Sequence, residues 1–496
     1  MARFYDTLRD QLVPLQPIEP GHVRLYVCGP TPYDHPHIGH MRSCVVYDVL
    51  VRHLREQGLR VTHVRNITDI EDKIIARAQE RNEPIAALVD RYTASYHDAT
   101  RRLFCVEPTH EPRVSDHIDG VCDLIARLIE RGAAYVSDGD VYYSVSSFAD
   151  YGKLSHRKLD DLVAGGSGRV AEEESRRKRH PADFALWKGS KGEPNWPSPW
   201  GPGRPGWHIE CSAMCLSQLG DSCDVHGGGL DLVFPHHENE IAQSEAATGK
   251  PLAGVWVHNG FIEVNKEKMS KSLGNFFTAH EAFRVVEPEA MRYFMMTTHY
   301  RAPLNLDWVE NAVGEVTSFP QIEECERRVE YLYATQQRLA TFPEARVDAQ
   351  NDRIEPEFQS FKERLTTVLD DDLNMPQALS VLAELLKRAN ETFDVASRKQ
   401  NRLGRANRAC IQESFAVLGR VLGLGLDDAA AFQARVRARR AHVLGLREAD
   451  VEAKIEQRIA ARKQRDFARA DAIRDELLAL GIELMDEGDR TQWRVA

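Results

Sequence analysis

The chain has 496 residues, enough for two to four domains, and its hydrophobic content of 42% and charged content of 28% are typical of a folded protein without membrane segments. No run approaches about 18 apolar residues and the first residues lack the apolar core of a secretory signal, so we expect no membrane partner and a cytoplasmic location. Nine scattered cysteines argue against a disulfide framework. The net charge of −11 does not favour a nucleic-acid binder, although basic clusters at 176–179 and 398–408 could hold phosphates.

The first part of the chain predicts alternating strands and helices. An apolar run at 23–28 predicts a strand, a helix with one apolar face follows and ends near Gly58, and 61–67 predicts a second buried strand. This alternation is typical of parallel βαβ units. Residues 111–200 are mixed and rich in turns, and we interpret them as an insertion.

The strand–helix pattern then resumes in the middle of the chain. Residues 222–226 predict a strand, three glycines follow, and a helix is expected over about 236–249. Thr278 and Glu281 have the spacing of a capping box and predict a further helix start.

The last third of the chain predicts mainly helices. Residues 308–425 show helical periodicity with few strand signals. Apolar spacings at 451–459 and 467–477 predict two more helices, the second stopped by Gly481. Two short runs around 486–489 predict a terminal hairpin.

The tetrapeptide His37-Ile38-Gly39-His40 follows the first predicted strand and opens a predicted helix. A helix start presents unpaired N–H groups and a partial positive charge, which together attract phosphate. Gly39 allows a ligand to approach the backbone, and the two histidines could donate to phosphate oxygens in a transition state. Two ordinary surface histidines are the alternative interpretation.

A second short motif, Lys268-Met269-Ser270-Lys271-Ser272, lies in a polar stretch after another apolar run at 255–257. Two ammonium groups on a mobile loop suit the β- and γ-phosphates of a departing pyrophosphate. A charged surface turn would explain this motif taken singly. The two motifs in this order, each after a predicted strand, favour an enzyme that holds a nucleoside triphosphate from two sides.

Four residues form a plausible zinc set of two thiolates, an imidazole and a carboxylate. They are Cys28, Cys211, His236 and Glu240. The last two are four residues apart on one predicted helix and therefore share a face. His237 and Glu238 are neighbouring rivals that spacing alone does not exclude.

Several motifs in order along the chain resemble cysteinyl-tRNA synthetases. They are residues 26–40, 66–70, 206–211, 226–231, 235–243, 268–275 and the tail 492–494. The resemblance extends over nearly the whole chain and is specific, because the motifs recur at compatible spacing.

The resemblance implies an α/β fold, with a Rossmann-like class I synthetase catalytic domain, a connective insertion, a helical bundle and a small C-terminal anticodon-binding domain. The implied divisions are 1–115 and 201–285 for the two catalytic halves, 116–200 for the insertion, 286–325 for a stem-contact region, 326–429 for the bundle and 430–496 for the anticodon-binding domain.

The resemblance also assigns roles. One zinc per chain falls on Cys28, Cys211, His236 and Glu240, which resolves the choice left open by spacing. Thr68, Trp207 and Asp231 match positions that hold the amino acid, and Lys271 matches the lysine that contacts ATP. His37, Gly39, His40 and Lys268 complete the implied ATP and catalytic site.

The implied reaction is ATP-dependent activation of L-cysteine and transfer to tRNA(Cys), with Mg²⁺ on the ATP, in a chain we expect to be a monomer. Two other ligases remain as alternatives: one that joins cysteine to an amino sugar, which would lack residues 430–496, and a methionine- or leucine-type synthetase, against which Cys28 and Cys211 argue. A non-catalytic tRNA-binding relative is the alternative of another class, and it would be expected to lack a signature residue.

Overall fold

The computed structural model describes residues 2–158, 176–190, 192–264, 267–268, 276–398, 401–487 and 490–495. Within these ranges, no side chain is described at 267–268, 485–487, 490, 492 and 494. Lys271 and the glycine-rich stretch 164–168 of the predicted insertion lie outside the described residues, and only the backbone of Lys268 lies within them.

The first part of the chain alternates strands and helices as predicted. Its elements are β1 (Arg3–Asp6), β2 (Gln11–Pro14), β3 (His22–Val27), α1 (Ile38–Glu56), β4 (Arg60–Arg65), α2 (Asp72–Arg81) and α3 (Ile85–Arg102). β3 is buried along most of its length, because both faces of a parallel sheet are covered. α1 starts at its N-cap His37 and ends just before Gly58, whose φ of 84° only glycine adopts readily.

An insertion follows, with one helix and a separate four-stranded sheet. Its elements are α4 (Ile118–Glu130), β5 (Ala134–Ser137), β6 (Asp140–Tyr143), β7 (Phe184–Gly189) and β8 (Gly203–Pro205). The strands are antiparallel and lie in the order β5–β6–β7–β8. α4 buries a stripe that includes Val121, Leu124 and Leu128. The domain boundaries implied for this insertion and for the other units stay predictions.

The second catalytic segment completes a parallel sheet. Its elements are α5 (Trp207–Leu219), β9 (Cys223–Gly229), α6 (Glu238–Thr248) and β10 (Ala253–Asn259). The sheet order is β10–β9–β3–β4, with every pair parallel. The predicted helix at 236–249 is confirmed from 238, and a wider turn, Val233–His237, precedes it.

The two central strands form a topological switch point. β3 continues through α1 to β4 on one side, and β9 continues through α6 to β10 on the other. The chain therefore leaves the carboxyl ends of these two neighbours in opposite directions and opens a crevice there. Open α/β sheets bind their ligands at this place.

A region of short elements connects the sheet to the helical part. They are β11 (Ile262–Val264), β12 (Glu267–Lys268), α7 (Ala279–Ala282), α8 (Pro288–Met295), β13 (Leu304–Asn305), β14 (Val309–Glu310) and β15 (Val316–Ser318). The predicted capping box at Thr278 and Glu281 is confirmed. The prediction of helix from 308 is wrong for its first residues, because β14 and β15 pair as an antiparallel hairpin around Gly314, which has a φ of 80°.

A bundle of helices packs against α1. Its elements are α9 (Pro320–Ala340), β16 (Val347–Asp348), α10 (Pro356–Gln359), α11 (Phe361–Asp370), α12 (Met375–Ala396), β17 (Leu403–Gly404), α13 (Arg405–Leu422) and α14 (Ala429–Val443). Its apolar residues share one continuous core with the α1 face of the main sheet. The opposite face of the sheet shares a second core with the insertion.

The C-terminal segment has a small core of its own. Its elements are α15 (Glu448–Lys463), α16 (Phe467–Ala479), β18 (Ile482–Glu487) and β19 (Arg490–Val495). β18 and β19 pair antiparallel, which confirms the predicted terminal hairpin. Val451, Ile455, Leu477 and Trp493 lie in this core. Among the described residues, no helix combines the length and the apolar character that crossing a bilayer would require.

Candidate active site

A cavity of about 350 Å³ opens at the carboxyl ends of β3, β9 and β10. Its wall includes the start of α1, the loop that follows β3 and the segment that follows β10. This is the crevice that the switch point of the sheet creates. A cavity of this size suits a small-molecule ligand.

The start of α1 presents His37, Gly39 and His40 to this cavity. The two imidazoles stack with ring centroids 3.6 Å apart. Each Nδ1 accepts a backbone N–H at 3.3 Å, His37 from His40 and His40 from His37. In the neutral rings the proton therefore lies on Nε2. The helix start thus offers two Nε2–H donors together with the positive end of the helix dipole.

A cluster of metal-ligand side chains adjoins the same cavity, which Cys28 lines. Its members are Cys28 just after β3, Cys211 on α5, His236 in the turn before α6 and Glu240 on α6. Their ligand atoms all lie within 4.8 Å of one another, and all four except the half-buried Cys28 are buried. Two sulfurs, one imidazole nitrogen and one carboxylate oxygen are a donor set that suits zinc.

The charges of this cluster are strongly coupled. Contact with Cys28 lowers the pKa of the Cys211 thiol to about 6, whereas burial and the same contact raise the pKa of Cys28. Burial opposes the charge on His236, but Glu240 and Cys211 raise its pKa to about 10. Burial also opposes the charge on Glu240, yet His226 and His236 hold its pKa well below the usual range. Negative charge therefore collects on the Cys211 thiolate and the Glu240 carboxylate, a charge state that divalent cations bind.

The two rivals that spacing left open have other surroundings. Both oxygens of the Glu238 carboxylate accept backbone N–H groups of the loop after β6, from Gly152 at 2.9 Å and from Ser155 at 2.8 Å. His237 forms an Nδ1–Nε2 hydrogen bond with His258 at 2.7 Å. Among the described residues, His237 also forms a second group of possible metal ligands, this one of three residues, with Cys28 and His226. Geometry therefore favours His236 and Glu240 as partners of the two cysteines.

Asn66, which follows β4, connects the cluster to the loop after β3, a role that the sequence did not indicate. Its Oδ1 accepts the Gly29 N–H at 2.9 Å and lies 3.7 Å from the Cys211 sulfur. A Cβ on Gly29 would lie 1.6 Å from the Asn66 carbonyl oxygen, so only glycine fits there. Asn66 belongs to the quoted motif at 66–70, which was the available signal.

The three predicted amino-acid-binding residues divide between the cavity and its surroundings. Trp207 lines the cavity, is 40% exposed, and packs its ring 4.5 Å from that of His236. Asp231 also lines the cavity, from the short turn after β9. Thr68 is buried behind the loop, where its N–H donates to Pro30 at 3.1 Å and its hydroxyl accepts from Asn66 at 3.1 Å.

The chain immediately after the lysine motif is attached to the start of α1. The Phe276 ring meets the His37 ring edge-on at 5.2 Å, and the Ile38 N–H donates to the Phe277 carbonyl at 3.3 Å. His37 and Thr278 form an isolated antiparallel bridge. The structure therefore brings residues 276–278, which follow the lysine motif in the chain, to the histidine motif.

Trp493, in the tail motif 492–494, is by residue type a candidate either for stacking bases or for a core, and a core is the more common fate of a tryptophan. It is 3% exposed, its Nε1 donates to Glu452 at 2.6 Å, and Arg437 lies over its ring at 5.0 Å. Its burial therefore supports the core alternative, because Trp493 has little exposed surface on which a base could stack.

Three family models match the chain in the order of these structural units. The model for the tRNA synthetase class I (C) catalytic domain matches residues 14–318. A DALR domain matches 364–427, and the cysteinyl-tRNA ligase anticodon-binding domain matches 447–494.

Curated relatives align with this chain over nearly its whole length. The cysteine–tRNA ligase of Geobacter metallireducens is 45% identical over 501 residues, with 99% of each chain covered. That of Alkalilimnicola ehrlichii is 48% identical over 498 residues and covers 100% of both. Among solved structures, methionyl-tRNA synthetase of Mycobacterium tuberculosis with methionyl-adenylate has a TM-score of 0.61 at 16% identity, covering 83% of this chain and 93% of its own. At that identity the likeness concerns the fold.

Proposed function

The chain belongs to the cysteine–tRNA ligase family of class I aminoacyl-tRNA synthetases, and we propose that its switch-point cavity activates L-cysteine with ATP and transfers the cysteinyl group to tRNA(Cys). One observation carries this proposal: a phosphate-binding helix start and a soft-donor metal cluster face the same two strand ends. The first suits a nucleotide and the second suits a thiol, which are the two reactants of the activation step.

ATP would lie between the start of α1 and the lysine motif. His37 and His40 would donate Nε2–H bonds to phosphate oxygens, and Gly39 would let the nucleotide approach the backbone. Lys268 and Lys271 would neutralise the β- and γ-phosphates, which carry the magnesium ion of the substrate. The attachment of residues 276–278 to α1 supports this arrangement, because these residues follow the lysine motif in the chain and contact the histidine motif.

The activation step needs no protein nucleophile. A carboxylate oxygen of cysteine attacks the α-phosphorus in line, the bond to the bridging oxygen breaks, and pyrophosphate leaves with the bond electrons. The chain's contribution is to orient the reactants and to stabilise the charge that builds on the phosphate oxygens.

Cys28, Cys211, His236 and Glu240 would hold one zinc ion per chain. Bound zinc would accept the substrate sulfur as thiolate, and serine, whose hydroxyl keeps its proton, would be rejected without a separate editing site. His226 supports this set, because its Nε2 lies 3.0 Å from the second oxygen of Glu240 and orients that carboxylate. Trp207, Asp231 and Thr68 would enclose the rest of the amino acid.

The second step uses tRNA as the acceptor. The 2′-hydroxyl of the terminal adenosine attacks the cysteinyl carbonyl, an ester forms, AMP leaves, and the hydroxyl proton passes to the departing phosphate. Residues 447–494 would read anticodon bases, as the match to the anticodon-binding family supports.

The test is cysteine-dependent exchange of labelled pyrophosphate into ATP, with serine as the matched amino acid. We expect exchange with cysteine, none above background with serine, and one zinc per active chain by metal analysis. Charging of tRNA(Cys), with an amino sugar as the alternative acceptor, then identifies the second substrate. Absence of exchange would contradict the activation step, and transfer to the sugar alone would contradict the tRNA step.

A further inference from the structure

Arg42 lies on α1, one turn after the start of that helix, and is completely buried. Its guanidinium donates to four backbone carbonyls from two separate segments. They are Phe261 at 2.5 Å through Nη1, and Ala302 at 2.6 Å, His299 at 3.3 Å and Tyr300 at 3.4 Å through Nη2. The planar fork of arginine therefore bridges the segment after β10 and the turn 299–302.

The positive charge of the buried Arg42 guanidinium is not balanced by a neighbouring carboxylate within the described ranges. In the described part of the chain no carboxylate forms an ion pair with Arg42, whereas the buried Arg65 and Arg292 pair with Glu111 and Asp48. Burial lowers the pKa of Arg42 to about 10, so the side chain remains a cation at neutral pH. Among the described residues its Nε has no hydrogen-bond partner. A buried cation held only by carbonyl dipoles is a costly way to stabilise a fold, and this cost indicates a role in positioning the segments to which those carbonyls belong.

One of the two segments is a wall of the active-site cavity. Residues 259–262 all line it. The Gly260 N–H donates to the Tyr300 carbonyl at 2.7 Å, and a Cβ on Gly260 would lie 2.5 Å from the Ala302 oxygen. The wall and the turn are thus in close contact, and Arg42 holds both to α1.

The same segment leads directly to the lysine motif. Ile262 pairs in parallel with Leu304 just beyond the turn, and Glu263 pairs antiparallel with Lys268. A displacement of the wall would therefore move the backbone from which the lysine motif starts.

We propose that Arg42 is a positioning residue for ATP, setting the distance between the histidine motif on α1 and the opposing wall formed by residues 259–262. The proposal rests on the proposed function, since it assigns the cavity to ATP. Arg42 does not touch the nucleotide in this arrangement. It acts through the backbone that it holds.

The direct test is Arg42→Lys, which keeps the positive charge but cannot span both segments from one nitrogen. We expect the Kd for ATP, measured by equilibrium dialysis, and the KM for ATP in exchange to rise by at least about tenfold, because misplacement by about 1 Å can cost about a hundredfold. The KM for cysteine should stay within about twofold, since none of the carbonyls that Arg42 holds belongs to a residue of the donor cluster.

Arg52→Lys is the matched control. Arg52 is on the same helix and also donates to backbone carbonyls, those of Phe104 at 2.6 Å, Gly419 at 3.2 Å and Arg420 at 3.3 Å. These carbonyls join α1 to the helical bundle and to the end of α3, away from the cavity. This variant should lose thermal stability and keep the wild-type Kd for ATP.

Gly260→Ala gives a second variant in case Arg42→Lys does not fold. Its methyl group would push the wall away from the turn while Arg42 remains, and it should weaken ATP binding in the same selective way. An unchanged Kd for ATP in both variants, or an equal rise in Arg52→Lys, would overturn the proposal. Because the Kd is measured without catalysis, it decides the role of Arg42 even if the wild-type protein shows no cysteine-dependent exchange, a result that would overturn only the proposed function.

Discussion

Cys211 and Cys215 lie one turn apart on α5, and both are buried thiols of the same core. Only Cys211 belongs to the donor cluster, whereas Cys215 contacts the Cys223 thiol, which together with burial raises its pKa. Replacing each of these cysteines by serine therefore separates the effect of losing a metal ligand from the effect of placing a hydroxyl in the same buried helix.

We predict that Cys211→Ser loses most of its zinc and raises the KM for cysteine by more than about tenfold. Removal of a residue that only hydrogen-bonds to a metal ligand already costs about 10- to 100-fold in metal affinity, and removal of the ligand itself should cost at least as much. Metal analysis of the purified protein and cysteine-dependent exchange measure the two effects. Cys215→Ser should retain one zinc per chain. Full zinc content in Cys211→Ser would refute its assignment as a ligand.

Two other features of the site region depend on residues close together in the sequence and were therefore predictable from spacing. His236 and Glu240 stand one helical turn apart, and the His236 Nε2 lies 3.1 Å from the Glu240 carboxylate. The capping box at Thr278 and Glu281 is equally local. Asn66 and Arg42 could not be placed in the same way, because their partners are far away in the sequence.

At the level of elements, α8 contacts α9 and the end of α13 through a buried glutamate. Glu289 is 2% exposed, and it accepts from the Tyr333 hydroxyl at 2.6 Å and from the Gly425 N–H at 2.6 Å. Burial raises the pKa of Glu289 to about 7 despite these two donors. The folded protein thus keeps a proton that an unfolded chain would release above a pKa of about 4.5.

This difference predicts a defined pH dependence of stability. Between pH 4.5 and 7 the folded state binds more protons at Glu289 than the unfolded state, so the contribution present at low pH is lost as the pH rises, by roughly 3 kcal/mol. Glu289→Gln should remove this part of the slope when urea midpoints are compared across the window. Parallel curves for the variant and the wild type would refute the prediction.

Tyr333→Phe provides the complementary variant. It removes the hydroxyl that donates to the Glu289 carboxylate, so the pKa of Glu289 in the folded state should rise further. The upper limit of the window should then move to higher pH and the total loss of stability should grow, while the lower limit, set by the unfolded chain, stays in place. A shift of the window to lower pH would mean that Tyr333 does not stabilise the carboxylate.

At the level of the whole molecule, the C-terminal segment has its own core, to which α14 adds Ala441, whereas Phe432 and Val436 of α14 pack in the core of the bundle. Phe432 stacks on Tyr333 with ring centroids 4.5 Å apart, and both Arg439 and Arg440 pair with the buried Glu326. The boundary at 430 stays a prediction. A truncation should nevertheless stop at Gly445, so that Glu326 keeps its partners.

We predict that a chain ending at Gly445 retains cysteine-dependent exchange within about twofold of the wild type. Charging of tRNA(Cys) should fall by about 100-fold in kcat/KM, equal to about 2.7 kcal/mol of lost transition-state stabilisation. Cys211→Ser should show the opposite order, with the exchange itself impaired. Undiminished charging by the truncated chain would refute an anticodon role for residues 446–496.

The sequence by itself determined the α/β class, the histidine motif at a helix start, the terminal hairpin and the family. These depend on short-range spacing and on motifs in order, which survive without knowledge of the fold. The features that the sequence did not determine are those that short-range spacing does not encode. The hairpin at 309–318 is predicted as helix because apolar spacing over so few residues does not distinguish the two. The residue type of Trp493 fits both base stacking and a core, and only its burial decides between them.

Only the tertiary structure decided which distant residues meet. Cys28 and Cys211 approach because β3 and α5 converge at the switch point, and Glu238 is directed elsewhere because the insertion supplies two N–H donors for it. Arg42 meets the turn 299–302 only once the sheet, α1 and α8 have packed together. Such contacts are set by the packing of whole elements, and their energies depend on burial, which no local pattern of residues reports.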